Sequence, residues 1–248
     1  MRALFCLMLA TLLSSTAVHA DGLSDLRAGL AKFHGSTAIA AQLSVQKASK
    51  NGDSGEPKSS SAQAQVSASS SNGALQISYD AATLSKVETE ANQRSGNSEA
   101  ATPLADVLRD ITPTQVNALL SYAGSLTRKL EQATLKEDKT DTLDGKPARL
   151  LVFEIPLNAS AKDRNSMKEY TGTLKVWLDD AGVPLAIDQQ QVFSGRRMLI
   201  SFKGSSSETA NVRQVGDRLV VVKQKRGQTF SGFGQTSDST TTTTLTIQ

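Results

Sequence analysis

The spacing of apolar residues changes period along the chain, and each change marks a different kind of element. Leu23, Leu26, Leu30 and Phe33 recur at helical spacing, with Gly35 just beyond as a stop signal. From Thr37 to Ala48 the period is two. Ile39, Ala41, Leu43 and Val45 alternate with Ala40, Gln42, Ser44 and Gln46, which predicts a strand with one buried face. Residues 49–61 are polar, rich in Ser, Gly and Lys, and read as a hairpin loop. A second strand follows with Ala62, Ala64, Val66 and Ala68 on one face. Asn72-Gly73 then signals a tight turn, and Leu75, Ile77 and Tyr79 continue beyond it.

The middle of the chain is helical. Asp80 is placed to cap a segment bearing Leu84, Val87 and Ala91, after which residues 92–101 lose all pattern. Thr102-Pro103 starts a short helix with Leu104, Val107, Leu108 and Ile111 on one face. Thr112-Pro113-Thr114-Gln115 has the composition of a capping box. It precedes a stripe of Val116, Leu119, Leu120, Ala123, Leu126 and Leu130. Such stripes need an apolar surface to cover.

From Ala133 the period returns to two. Strands are expected near 134–142, 148–156, 170–179, 183–193, 197–204, 208–215, 218–226 and 236–248. Turn signals at Asp144-Gly145, Asp180-Ala181-Gly182, Gly195, Gly216-Asp217 and Gly227 separate most of them, and 157–169 reads as a long polar loop. The threonines at 240–244 belong to the last strand. Together these make a mainly β, α+β chain of about 11 strands in an antiparallel sheet that curls or closes. An N-terminal helix precedes the sheet, and a helical insert at about 81–131 follows the third strand.

The first twenty residues change the picture. Arg2, an apolar run from Leu4 to Leu13, then Val18-His19-Ala20 form the three parts of a signal peptide, with cleavage expected after Ala20. The run is too short to span the roughly 30 Å hydrocarbon core. Residues 21–248 are then expected as one periplasmic domain. Cleavage removes Cys6 and His19, leaving no cysteine and a single histidine, His34. That excludes thiol nucleophiles, disulfides and thiolate metal sites, and leaves no basis for a zinc site or a histidine-based triad. His34 reads as a helix-end residue facing the last carbonyls.

Asp179-Asp180, Glu137-Asp138 and the Asp141/Asp144 pair fall at turns or on polar strands, where solubilising and turn-forming roles suffice. Gly232-Phe233-Gly234 lacks the context of a phosphate loop. No enzyme activity, cofactor or metal is expected.

Charge is nearly balanced, with 27 Lys plus Arg against 24 Asp plus Glu, so nothing argues for a nucleic-acid partner. Its distribution is uneven. Arg196, Arg197, Lys203, Arg213, Arg218, Lys223, Lys225 and Arg226 lie between Gln191 and Phe230, against only Glu208 and Asp217. Arg196, Arg197, Lys203, Lys223, Lys225 and Arg226 are the candidates for contact with an anionic membrane surface or an envelope protein. The plain alternative is a solvated outer face.

One succession inside the second half is more specific than periodicity. Leu143-Asp144-Gly145-Lys146-Pro147-Ala148 is followed by Thr173-Leu174-Lys175-Val176-Trp177-Leu178-Asp179 and by Gly182-Val183-Pro184-Leu185. With the N-terminal helix ending in Phe33-His34-Gly35, it resembles the periplasmic lipoprotein-carrier superfamily: LolA-like and LolB-like carriers, LppX-type lipid binders and RseB-type regulators. The resemblance implies an unclosed antiparallel half-barrel covered by a helical lid, with acyl chains held between them. It implies a monomeric carrier for a lipid or other hydrophobic ligand, or a regulatory module docking a protein partner through the same fold. The apolar cradle would be lined by Leu43, Val45, Leu75, Ile77, Tyr79, Val152, Leu174, Val176 and Leu178 from the sheet. Leu104, Leu108, Leu119 and Leu120 would line it from the helices. A filled core requires the same residue types as a cavity, so both remain open at this point.

Overall fold

The computed structural model describes residues 21–52, 58–158 and 160–248; the expected signal peptide and its cleavage site lie outside them. Helix α1 spans Gly22–Leu30 and starts where the Asp21 carboxylate accepts the Leu23 N–H at 3.2 Å. It stops before Gly35, which adopts a φ of 72°. Strands β1 (Ile39–Gly52), β2 (Lys58–Ser71) and β3 (Ala74–Tyr79) follow, with Asn72 and Gly73 turning the last pair at φ values of 49° and 78°. The expected loop is shorter than its composition suggested. Ser49 pairs with Ser60 and Lys50 with Ser59, so most of 49–61 is ladder. Both faces of this stretch are polar, which leaves no periodicity to read.

Four helices separate β3 from β4. Helix α2 (Ala81–Gly96) is capped by Asp80, whose carboxylate accepts the Thr83 N–H at 2.6 Å. It runs on through residues that carry no pattern, and among the described residues it buries none. Its Glu90 carboxylate accepts the Leu104 and Ala105 N–H groups at 3.0 and 2.9 Å, capping α3 (Pro103–Arg109) from outside. The Thr112/Gln115 capping box forms as expected and opens α4 (Pro113–Leu120). The long stripe does not belong to one helix. The chain breaks at Ser121–Tyr122, where the Tyr122 N–H donates to the Leu219 carbonyl at 2.7 Å, and α5 (Ala123–Glu131) starts afresh.

Strands β4 (Thr134–Leu143), β5 (Lys146–Glu154), β6 (Met167–Leu178), β7 (Pro184–Arg197), β8 (Ile200–Val215), β9 (Arg218–Gly232) and β10 (Gln235–Ile247) complete the chain. The short helix α6 (Ala161–Ser166) occupies part of the expected 157–169 loop. The described strands form one ten-stranded antiparallel sheet in the order β3-β2-β1-β10-β9-β8-β7-β6-β5-β4, not closed into a barrel. Ten replaces about 11 because 197–204 and 208–215 belong to the single strand β8. Gly195 is not a turn: it pairs with Phe202 on β8, and the chain reverses at Met198-Leu199. Gly227 likewise lies within β9, which turns only at Phe233-Gly234.

The helices cover one face of the sheet. Helix α4 contacts both β3 and β9, four places apart in the order, which a flat sheet would hold about 19 Å apart. The sheet therefore bends around it. Leu26 and Leu30 of α1, Val116 and Leu120 of α4, and Leu126 of α5 meet Leu43, Val66, Leu174, Val176 and Leu219 in one core. Burial of each large side chain contributes roughly 1.5–3 kcal/mol.

Candidate functional site

Strand parity decides which predicted cradle residues reach the covered face. Leu43, Val45, Leu104, Leu119, Leu120, Leu174, Val176 and Leu178 are buried in the core. Leu75, Ile77, Tyr79 and Leu108 pack against its margin, half-buried. Val152 does not join them. It pairs with Glu137 and Lys175, whereas its neighbours Leu151 and Phe153 pair with Val176 and Leu174 and enter the core. The run Leu150 to Phe153 is apolar on both faces, so its parity is set by its neighbour Arg149. That side chain ties β5 to α1 and β4 through Asp25 and Asp138, each at 2.7 Å.

Beyond the core, along the same face, side chains become polar. Glu208 on β8 is the hub. Its Oε1 accepts the Tyr122 hydroxyl at 3.2 Å, Lys129 Nζ at 3.1 Å and Gln224 Nε2 at 3.2 Å, while Arg226 approaches its other oxygen at 3.7 Å. Burial would raise the pKa of this carboxyl, but Lys129, Arg226 and the donated hydrogen bonds outweigh it and hold the group below its ordinary value. The Tyr122 phenol is pushed well above its ordinary value, first by burial and then by the Glu208 charge. On the strand ladder Glu208 lies between Gln189 and Arg226. Gln189 Oε1 and Arg226 Nε are buried without a hydrogen-bond partner among the described residues.

Between this polar hub and the lid lies a cavity of about 250 Å³. Leu43, Val45, Ile111, Val116 and Leu119 form its apolar wall. Gln224, Arg226, Thr241 and Thr243 continue the sheet side of the cavity next to Leu43 and Val45, and Lys47, ion-paired to Asp110, lies beyond Val45 on the same strand. The space under α1 and α5 is filled, since Leu26, Leu126 and Leu174 are fully buried there. The cradle is thus mostly packed core, with room left at its α4 edge. A chain of methylenes would lie against the leucine wall, and a polar or anionic head would meet Arg226.

A larger depression, about 850 Å³, lies elsewhere, between α1 and the β4–β5 hairpin. It is lined by the Arg149 ion pairs and by the Asp179 turn, whose carboxylate accepts the Ala181 and Val183 N–H groups at 2.9 and 2.8 Å. Of the other candidate carboxylates, Asp138 pairs with Arg149, Glu137 with Lys139 at 2.6 Å, and Asp141 accepts the Trp177 indole N–H at 2.9 Å. His34 is exposed next to Phe33.

The basic residues do not form one patch. Lys223 and Lys225 alternate with Gln224 and Arg226 along β9 and occupy the opposite face, exposed. Arg226 belongs to the covered side with Glu208, its side chain 40% exposed. Arg196 and Arg197 stand at the β7–β8 tip, and Lys203 follows on β8. Sequence reasoning passed over the Glu208 hub. The signal was present: Glu208 is one of two acids in an otherwise basic stretch. Comparison with protein-family models, with curated proteins and with solved structures finds no match to this chain.

Proposed function

We propose that the chain is an exported, non-enzymatic binding or carrier protein that holds the tail of an amphiphile between sheet and helical lid. The observation that supports this reading is the cavity of about 250 Å³ at the α4 edge, lined by Ile111, Val116 and Leu119 of the lid and by Leu43 and Val45 of the sheet, with Arg226 and Lys47 also at its lining. A single acyl chain suits that space, with its head toward Arg226. Helices α3 and α4 act as the lid, and Glu208 holds Arg226 at the rim.

Displacement of a fluorescent fatty acid from the purified protein tests the reading. Leu119→Trp would fill the cavity at a cost of roughly 1–3 kcal/mol in stability, and is expected to weaken binding tenfold or more. A folded Leu119→Trp protein that binds as well as the parent, or a parent that binds nothing, rejects the proposal. Export is tested separately by intact mass of protein from a periplasmic extract, expected to begin at Asp21; retention of residues 1–20 would reject cleavage.

A second reading, a regulatory module that docks a protein partner, is favoured by one observation. Helix α2 spends sixteen residues on the surface, with Leu84 exposed and no residue buried among those described. A stable partner recovered with the protein but lost on Leu84→Lys would favour it.

A further inference from the structure

We propose that the end of the sheet away from the lid helices α1–α5, next to the short helix α6, is a docking tip for an anionic lipid surface, built from the β7–β8 and β9–β10 hairpins. The proposal is independent of whether the cavity holds an amphiphile. Glu208 to Ile200, at ~3.4 Å per residue, is roughly 27 Å of strand leading away from the lid edge.

The apolar side chains at this tip are out of place on a soluble surface. Met198 is 92% exposed and Leu199 83%, and Phe233 at the adjoining turn is 44% exposed. The two turns are one surface. Phe202 pairs with Gly195 and with Gly232, and its ring stacks on Phe233 at 6.0 Å. Adjoining exposed apolar groups of this kind mark an interaction site.

The backbone gives a second, separate reason. Met198 and Phe233 hold φ values of 56° and 57°, in the left-handed region. At the comparable turns of this chain the same region is filled by Asn72 and Asp144, residue types that tolerate it. Bulky apolar residues are held in a disfavoured conformation at these two exposed turns. Local folding gives no reason for that choice; contact with an apolar phase does.

Charge names the phase. Residues 189–207 and 218–237 contain no Asp or Glu. Arg196 and Arg197 flank Met198, both exposed and without an ion pair among the described residues. Methionine and leucine that enter the acyl boundary while adjacent arginines meet phosphates form the arrangement of a membrane-surface anchor. No helix among the described residues is long and apolar enough to cross a membrane.

Flotation of the purified protein, its N-terminus fixed by intact mass, with 1:1 phosphatidylglycerol–phosphatidylcholine vesicles tests this. Binding is expected at low salt, and is expected to be at least tenfold weaker at 0.5 M salt or on pure phosphatidylcholine. Met198→Asn with Leu199→Thr should lower partitioning tenfold or more while leaving the melting temperature unchanged or higher, since Asn suits the turn. Arg196→Gln with Arg197→Gln should lower it roughly tenfold on the anionic vesicles only. Equal partitioning of parent and both variants would assign any binding to another part of the chain and overturn the proposal. So would failure to float at low salt, loss in the Met198/Leu199 variant without loss in the arginine variant, or tip-dependent self-association with no vesicle binding.

Discussion

Replacing Glu208 by alanine is expected to lower the free energy of unfolding by about 1.5–3 kcal/mol, the range for hydrogen bonds to a charged group, since the Lys129 and Arg226 side chains left behind keep some access to water. The side chain is only 17% exposed, and no other carboxylate contacts Lys129 or Arg226 among the described residues. Its loss leaves two cations and the Tyr122 hydroxyl facing each other across the join of α5 with the sheet. Glu208→Gln should fall between parent and alanine, since its carbonyl still accepts from Tyr122 and Lys129 but carries no charge. Urea unfolding measures both; an alanine variant within 1 kcal/mol of the parent would show that water already screens the hub.

The hub also sets a pH dependence whose sign is fixed. The folded Glu208 carboxyl titrates below its ordinary value, so its contribution is complete above the ordinary carboxylate range. It is lost as pH falls through the lower folded value. Tyr122 acts at the other end: its phenol is raised, so stability declines as pH climbs above the ordinary tyrosine value near 10. Glu208→Gln should flatten the acid limb.

Arg218→Ala is expected to cost about 3 kcal/mol, through lost packing and lost charge-assisted hydrogen bonds. The side chain is 1% exposed. Its Nε donates to the Thr37 carbonyl at 2.5 Å and Nη2 to Ser70 Oγ at 3.2 Å, with no carboxylate bonded to it among the described residues. It closes the corner where the α1–β1 link meets the β8–β9 turn. Beside it, Asp217 accepts the Ser36 hydroxyl at 2.5 Å and the Ser36 and Thr37 N–H groups, each at 2.8 Å; the Ser36 and Thr37 side chains first, and then these N–H groups, hold its carboxyl far below the usual range. Arg218→Lys should recover only part of the loss, because an ammonium cannot span both acceptors as the guanidinium fork does. Arg218→Met separates the two causes. It restores most of the volume and removes a buried charge, so it should lie closer to the parent than alanine does. A methionine variant as unstable as alanine would place the whole effect in the hydrogen bonds.

Much of the architecture was legible because one face of each strand is apolar near the lid. Ile39, Ala41, Leu43 and Val45 give β1 its buried face, and Thr112 with Gln115 opens α4 as read. The break at Tyr122 was not legible, since Val116 through Leu130 make one continuous stripe; a bond to Leu219, far along the chain, interrupts the helix. Gly195 and Gly204 carry turn-like composition but lie within strands. Their missing side chains make room for the rings of Phe202 and Phe193, which a Cβ would approach to 2.3 and 2.5 Å. The true reversal at Met198 has no turn residue to announce it. Of the candidate site, the leucine wall was readable from period two. The polar wall was not, because Arg226 and Glu208 were read as members of a charge run instead of by strand parity.

The order of strands also sets when the molecule can become whole. Among the described residues the first three strands pair with the other seven only between β1 and β10, whose contact from Gly52 to Thr236 joins positions 184 apart. Until the final threonine-rich segment has been synthesised, β1 has no neighbour on that side and Leu43 lacks Leu245 opposite it. Assembly must wait for the C-terminus, and closing so long a loop makes it slow. Until β10 is in place, the edge of β1 and its apolar face stay open, the kind of surface through which unfinished chains aggregate.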